Sequence, residues 1–226
     1  VVSFEPYSLE QIAILDSAKV TEILCKSGLW PSLRRRPFSK IAIPNTFPKS
    51  IFISTMSTAP FAANLEVVLE QTKQEIIQAG IDALKFLTNG SINMVSPQNL
   101  SNTKLTDLNN VQQHTYSGPH PAGNIGVHVS QIDPIKNKED SIWYISIQDL
   151  ISIGKLFLTG KVDYRKIITV AGSAVSEKQH YSVNRGTLIS QILSNNKVEE
   201  DARIISGDIL TGVISCMDNS IGFYHE

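Results

Sequence analysis

The chain has 226 residues, a length that suits one large domain or two modest ones. Hydrophobic residues make up 42% of it, which is enough to bury a substantial core. Twenty basic and 21 acidic residues leave a formal charge of −1, so no global field attracts nucleic acid or anionic lipid. We therefore expect no nucleic-acid partner.

No apolar run approaches the roughly 18–20 residues that a membrane-spanning helix requires. The nearest one, residues 147–158, is interrupted by Gln148, Asp149 and Lys155. There is no signal peptide pattern. The chain opens without methionine and stops at Glu226 in an apparent strand, so we expect a fragment of a longer protein.

Three consecutive arginines, Arg34–Arg36, followed by Lys40, are the local exception to the balanced charge. Such a run is usually a solvated surface turn. Cys25 and Cys216 lie far apart within apolar runs, which predicts two buried or inert thiols in a reducing compartment, without a disulfide.

The first half of the chain predicts a parallel sheet crossed by helices. Two strands flank a long helix in which Ile77, Ile81 and Leu84 recur at helical spacing, and such a crossover implies parallel pairing. The predicted helices are 8–26 (capped by Ser8), 64–88 (closed by Asn89-Gly90 as a left-handed cap) and 148–158 (ending at Gly160), and the predicted strands are 51–55, 91–95, 112–116 and 142–147, with loops at 96–110 and 117–123.

Beyond Gly160 the predicted elements become shorter and glycines separate them. They are strands at 166–171, 181–183, 203–206, 212–216 and 222–225, with a helix at 187–193 capped by Thr187. The fold class is therefore α/β, with a Rossmann-like parallel-sheet domain over 1–160 and a small β-grasp-like α+β domain over 161–226.

Standard catalytic signatures are absent from the sequence. No GxGxxG follows a strand, and there is no GxxxxGK[ST] phosphate loop, HExxH or GxSxG elbow, so we identify no catalytic residue. His120 and His128 flank a glycine-containing loop with Asp133 near, which could form a metal site. Histidines in such loops are more often simply hydrogen-bonded, and we expect no metal. The 56–60 connection could approach a ligand or be a plain strand-to-helix loop.

Several strings keep their order and spacing along the whole chain, and the Arg-Pro-Phe-Ser-Lys and Gly-Pro-His-Pro-Ala-Gly strings are quite specific. They lie at 4–6, 27–30, 36–40, 117–123, 148–149, 154–157, 170–172, 205–207 and 211–212. With these strings the chain resembles the A subunit of the Na⁺-translocating NADH:quinone oxidoreductase. That family is related in fold to the flavin subunit of complex I and to the C subunit of the Rnf complex.

The resemblance also implies what is missing. The flavin-binding relatives carry a glycine-rich loop just after the equivalent of Ser27-Gly28, where backbone amides hold the flavin phosphate. Here Trp30 and Leu33 would crowd such a loop, and Pro31 and Pro37 have no N–H to donate. We expect a retained fold whose flavin site is filled, and hence no bound cofactor.

The resemblance implies a peripheral subunit on the cytoplasmic side of the bacterial inner membrane, assembled on membrane subunits of the enzyme complex. It also implies ubiquinone binding, for which the candidate residues are Leu29, Trp30, Arg36, Phe38 and Lys40. Their apolar, aromatic and cationic side chains could contact a quinone ring and its carbonyls. Alternatively, Trp30 and Phe38 only fill the flavin space.

Two other functions stay open. One is an Rnf-type electron-transfer subunit with bound flavin, and the other is a non-redox scaffold or ligand-binding module built on the second domain.

Overall fold

The computed structural model describes residues 3–100 and 103–222, and its main feature is a six-stranded mixed sheet. The strand order is β2-β1-β6-β3-β4-β5. The strands are β1 (Arg34–Arg36), β2 (Lys40–Ile41), β3 (Ser50–Ser54), β4 (Ile92–Pro97), β5 (Gln112–Tyr116) and β6 (Ile142–Ser146).

The central strands confirm the predicted parallel crossover. β3 pairs in parallel with both β4 and β6, and β4 pairs in parallel with β5. The three arginines form β1, which is antiparallel to β6, so their prediction as a surface turn was wrong. β2 then pairs with β1 and forms one edge of the sheet. This charged run becomes a strand because it pairs with β6, which is distant in the sequence.

Helices cover the two faces unequally. The helices are α1 (Leu9–Ile12), α2 (Ser17–Lys26), α3 (Leu65–Leu69), α4 (Gln74–Lys85), α5 (Ile125–Ile132) and α6 (Ile147–Thr159). One face of the sheet shares the large core with α1 to α4 and α6. The other face packs against α5, through a smaller cluster around Phe52, Val95 and Val129.

Two predicted helices are each broken in the structure. The 8–26 helix divides into α1 and α2 because the Asp16 carboxylate accepts the Lys19 N–H and starts a new helix. The 64–88 helix divides into α3 and α4, and α4 ends at Phe86 in a right-handed conformation, so Asn89-Gly90 is not its left-handed cap. α6 ends as predicted at Gly160, whose φ is 67°.

A second, smaller unit follows α6. It contains the antiparallel pair β7 (Arg165–Val170) and β8 (Gln179–Asn184), the short helix α7 (Ile189–Ile192), and the antiparallel pair β9 (Ile204–Ser206) and β10 (Val213–Ser215). The N-cap of α7 is Leu188 and not Thr187. The predicted strand at 222–225 lies outside the described residues except for Gly222. The fold class is thus confirmed, and the division at residue 160 stays a prediction.

Side chains from the start of α6 join the two units. The Asp149 carboxylate forms a salt bridge with Arg185, and both side chains are buried. The Gln148 amide pairs with the backbone of Ile167 in both directions, at 3.0 and 2.7 Å. If the second unit moved away from α6, Asp149 and Arg185 would each remain as a buried charge without its partner, at a high cost in free energy. The ion pair therefore holds the second unit against α6.

Burial, one of the two alternatives predicted for the cysteines, is not found. Cys25 and Cys216 are both exposed free thiols. Cys25 lies on the outer side of α2, because Val20, Ile23 and Leu24 face the core. In the described part of the chain, no helix combines the length and apolar character needed to cross a bilayer.

Helices α4 and α6 approach each other closely through two glycines. A Cβ on Gly154 would lie 1.8 Å from the backbone oxygen of Ile76, and a Cβ on Gly80 would lie 2.8 Å from that of Leu150. Since these neighbours are backbone atoms, they cannot move without separating the helices.

Gly154→Ala should therefore destabilise the fold. We expect a loss of about 3 kcal/mol or slightly more, because the added methyl forces α4 and α6 apart. Urea denaturation followed by circular dichroism measures it. Gly222→Ala, where the added methyl meets no atom within 4 Å, is the matched control and should be nearly neutral. Equal stability of the two variants would contradict this packing.

Candidate functional site

Residues 27–40, the segment that carries the predicted quinone site, run from the end of α2 into the edge of the sheet. Gly28 has a φ of 72° and turns the chain away from the helix. A single 3₁₀ turn, Trp30–Ser32, leads into β1. A tight turn containing Ser39, whose φ is 49°, then connects β1 to β2.

Most backbone N–H groups at the start of this segment already have an acceptor in the segment or in α2. The Gly28 and Leu29 amides donate to the α2 carbonyls of Cys25 and Leu24, at 3.2 and 3.1 Å. The Ser32 amide donates to the Leu29 carbonyl and the Leu33 amide to the Trp30 carbonyl, at 3.0 Å each. An anion cradle needs several amides pointing at one ligand, and these four are not available for it.

Trp30 is a core residue that fixes this segment. Its side chain is 4% exposed, and its indole N–H donates to the carbonyl oxygen of Ala42 at 2.8 Å. Its ring meets that of Trp143 edge-on, with centroids 5.8 Å apart and planes at 84°. Sequence reasoning overlooked Trp143, although alternation along β6 places it beside Ile145 on the main core face.

The five candidate quinone residues do not converge on one site. Leu29 and Trp30 are buried in the main core. Phe38 is 78% exposed at the turn, and Lys40 is also exposed. Arg36 is half-buried and donates to the Ser39 hydroxyl at 3.1 Å. The first two side chains thus stabilise the core, and the other three are accessible on the hairpin.

The carboxyl ends of the parallel strands meet at the opposite edge of the sheet, where the 56–60 connection contacts the 117–123 loop. The Thr58 hydroxyl accepts the Gly123 N–H at 2.9 Å and lies 3.3 Å from the His120 Nδ1. A Cβ on Gly123 would lie 2.6 Å from the Thr58 nitrogen, so the two loops touch closely. The contact with Thr58 accounts for Gly123 and His120 in this loop, and neither residue requires a bound ligand to explain its position.

Two open cavities flank that contact. One, of about 710 Å³, lies between the 54–65 segment and the start of α6. The other, of about 950 Å³, lies between Phe61 and the second unit and includes Ile168 and Ile205 in its lining. Among the described residues no group of three or more potential metal-ligating side chains occurs, so nothing brings His120, His128 and Asp133 together.

His128 locks the 117–123 loop onto α5. It is fully buried, its Nε2 donates to the Ala122 carbonyl at 2.8 Å, and its ring lies 4.9 Å from that of Tyr116. Burial lowers the pKa of this imidazole, which outweighs the opposing effect of the bond to Ala122. The neutral form is therefore the one that the fold accommodates.

The stability that His128 provides should depend on pH. The unfolded chain takes up a proton at His128 near pH 6.5, but the folded chain does so only at lower pH, so stability falls as the pH drops through that range. We expect the stability difference between wild type and His128→Gln to shrink between pH 7.5 and about 5.5. Urea denaturation at each pH measures it. His114→Gln, on the half-exposed β5, is the control, and a pH-independent difference for His128 would refute the assignment.

Replacement of Trp30 tests its structural role. Trp30→Phe should lower the free energy of unfolding by about 2 kcal/mol, because it leaves a cavity and an unpaired Ala42 carbonyl. Phe38→Leu on the same hairpin is the control, and should change stability by no more than about 0.5 kcal/mol. If the two variants were equally stable, Trp30 would not be the core anchor.

Comparisons with known proteins agree with this architecture. The family profile described as "NqrA second alpha/beta domain" matches residues 15–162, and that described as "NQRA C-terminal domain" matches residues 167–216. Proteins named as the A subunit of Na(+)-translocating NADH-quinone reductase are similar to the chain. The one from Histophilus somni (strain 2336) is 36% identical over 93% of the chain and 47% of its own length. The one from Yersinia pestis bv. Antiqua (strain Angola) is 34% identical over the whole chain and 50% of its own length.

The chain thus spans about half the length of the curated relatives it matches. Among solved structures, a chain of an NAD⁺-reducing [NiFe]-hydrogenase in the H₂-reduced state has the same fold. The TM-score is 0.60 with 10% identity, over 95% of this chain and 49% of that one. The air-oxidised form of such a hydrogenase gives a TM-score of 0.61 with 11% identity, over 93% of this chain and 45% of that one. The profile matches and the curated relatives together show that the chain belongs to the NqrA family, of which it carries the second α/β domain followed by the C-terminal domain.

Proposed function

We propose that the chain serves in a Na⁺-translocating NADH:quinone reductase, within a subunit that holds no redox cofactor in the described region. The names of its relatives support the complex. In this proposal the subunit is peripheral, lies on the cytoplasmic side of the inner membrane and assembles on a membrane subunit. NADH oxidation and sodium transport then take place in other parts of the complex.

The observation that carries this proposal is the hydrogen bonding of the backbone amides of residues 27–33. In flavin-binding relatives of this fold the corresponding loop is expected to be rich in glycine and to present its amides to a phosphate. Here four of those amides donate to carbonyls of α2 or of the segment itself, and Trp30 and Leu33 occupy the core beside them. Flavin does not fit these residues, so the same observation argues against an Rnf-type electron-transfer role.

Of the five candidate residues for quinone binding, we keep the three that are accessible, Arg36, Phe38 and Lys40. Leu29 and Trp30 would have to leave the core to touch a ligand, at a cost of several kcal/mol. Phe38 offers an exposed ring that can stack on a quinone. Arg36 or Lys40, which lie on opposite faces of the hairpin, supplies an N–H donor for a quinone carbonyl. In this proposal the quinone contacts the hairpin from outside and not the core of the 27–40 segment.

Flavin exclusion can be measured on the purified protein. After incubation with excess flavin mononucleotide and gel filtration, we expect no flavin absorbance in the protein fraction, because no amide cradle is open to the phosphate. A flavin-binding protein of known stoichiometry serves as the positive control. Stoichiometric retention of flavin would refute the proposal that the subunit holds no cofactor.

The assembly role is tested separately, by co-purification with the other subunits of the complex. Failure to co-purify with them would refute that role.

Quinone contact can be tested with a short-chain, water-soluble quinone and isothermal titration of the isolated chain. We expect Phe38→Ala to weaken binding about fivefold or more, because it removes the stacking ring. Ile214→Ala, an equally exposed apolar residue on β10, should have no effect. Binding that Phe38→Ala leaves unchanged would contradict a quinone site on the hairpin.

A further inference from the structure

Charge is unevenly distributed along the chain despite the near-zero total. Between Glu22 and Glu66 there is no acidic residue, and the interval contains Lys26, Arg34, Arg35, Arg36, Lys40 and Lys49. Lys26 pairs with Glu22, and Lys49 pairs with Asp133. The excess positive charge is therefore concentrated on the β1–β2 hairpin.

Two of the hairpin cations face each other directly. Arg35 and Lys40 are cross-strand partners in the antiparallel pair, so their side chains lie on the same face. Throughout residues 3–100 and 103–222, no carboxylate comes within 4.0 Å of either side chain. Like charges placed opposite each other destabilise a strand pair. An anion bound at this point would relieve that repulsion.

The other arginines of the run maintain the shape of the hairpin. Arg34 donates from Nε to the Ser39 carbonyl at 3.0 Å, and Arg36 donates to the Ser39 hydroxyl. Ser39 has a positive φ, so these bonds hold the turn in an unusual conformation. This turn places the Phe38 side chain on the outside of the hairpin.

Large apolar side chains are exposed beside these cations. Phe38 forms the tip, and Ile41 and Ile43 are each a little under half exposed. Ile41 follows Lys40 directly in β2, so its side chain points to the opposite face of the hairpin from Arg35 and Lys40. We call Arg35, Phe38 and Lys40 the hairpin surface.

We propose that the hairpin surface docks on the anionic surface of a lipid bilayer. The cations meet headgroup phosphates, and the Phe38 ring enters the boundary between headgroups and acyl chains. An aromatic tip flanked by long cationic side chains is the arrangement that such an interface favours. Each cation near an anionic membrane strengthens binding about fivefold, within a Debye length of the surface.

The charge pattern also disfavours a purely electrostatic partner. An acidic protein surface or a free phosphate would satisfy Arg35 and Lys40 but would leave Phe38 in water. The proposal goes beyond the proposed function, and it requires neither quinone nor any partner subunit. Vesicles that contain no quinone therefore test it separately from quinone binding.

The experiment is co-sedimentation of the purified chain with vesicles of phosphatidylcholine alone and of phosphatidylcholine mixed with phosphatidylglycerol. We expect binding to the mixed vesicles about tenfold above that to the neutral ones, and we expect added salt to remove the difference. Lys40→Glu should lower binding about fivefold or more. Phe38→Ser should lower binding about tenfold, because the aromatic contact is lost.

Matched variants elsewhere control for charge and apolarity. Lys178→Glu, an exposed lysine in the second unit, and Ile214→Ser should bind like wild type. Equal wild-type binding to both vesicle types, or equal effects of Lys40→Glu and Lys178→Glu, would overturn the proposal. So would normal binding by Phe38→Ser together with displacement by soluble glycerol phosphate, since that result describes a simple anion site. Binding to immobilised polyglutamate without binding to vesicles would assign the hairpin surface to an acidic protein. Circular dichroism of each variant verifies folding.

Discussion

The burial of Trp30 is the constraint on which the edge of this fold depends. Its indole N–H holds the Ala42 carbonyl, and its ring stands edge-on to Trp143 of β6, so the segment after α2 is tied both to the end of β2 and to the centre of the sheet. With Trp30 in the core, the chain has to leave as a 3₁₀ turn, and its amides bond locally. The three arginines then enter the sheet as β1, beside β6. A segment that could have held a phosphate becomes part of the core.

This arrangement separates two regions of different character. At the carboxyl edge of the parallel strands, contacts between loops lie between two open cavities, and the Thr58 hydroxyl and the buried His128 hold the 117–123 loop. The buried Asp149–Arg185 pair fixes the second unit close to that edge. The β1–β2 hairpin, on the outer edge of the sheet, exposes its cations and Phe38. The exposed cations and the Phe38 ring thus lie away from the region where this type of sheet commonly binds ligands.

Local sequence patterns predicted the centre of the fold well. The apolar runs at 51–55 and 91–95 with Ile77, Ile81 and Leu84 between them are short-range signals, and they became β3, β4 and α4 in a parallel crossover. Non-local pairing decided the rest. A run of three arginines is locally typical of a turn, and only its register against β6 makes it a strand. With this register Trp30 lies in the core and Phe38 lies on the surface. The residues of the predicted quinone site are neighbours in the sequence, but the fold separates them. Helix α5 was not predicted because it is only 8 residues long and begins just after the glycine- and proline-containing loop at 117–123.

Hydrogen exchange of the 28–33 amides, followed by NMR or by mass spectrometry of short peptides, tests the central claim most directly. If the segment is a filled cradle, the amides of Gly28, Leu29, Ser32 and Leu33 exchange slowly, at rates close to those of the β6 core, because each donates to a carbonyl of α2 or of the segment. If these amides exchanged as fast as those of an open loop and became protected only when flavin or phosphate was added, the segment would be a working anion site. The account of a subunit without its own cofactor would then be wrong.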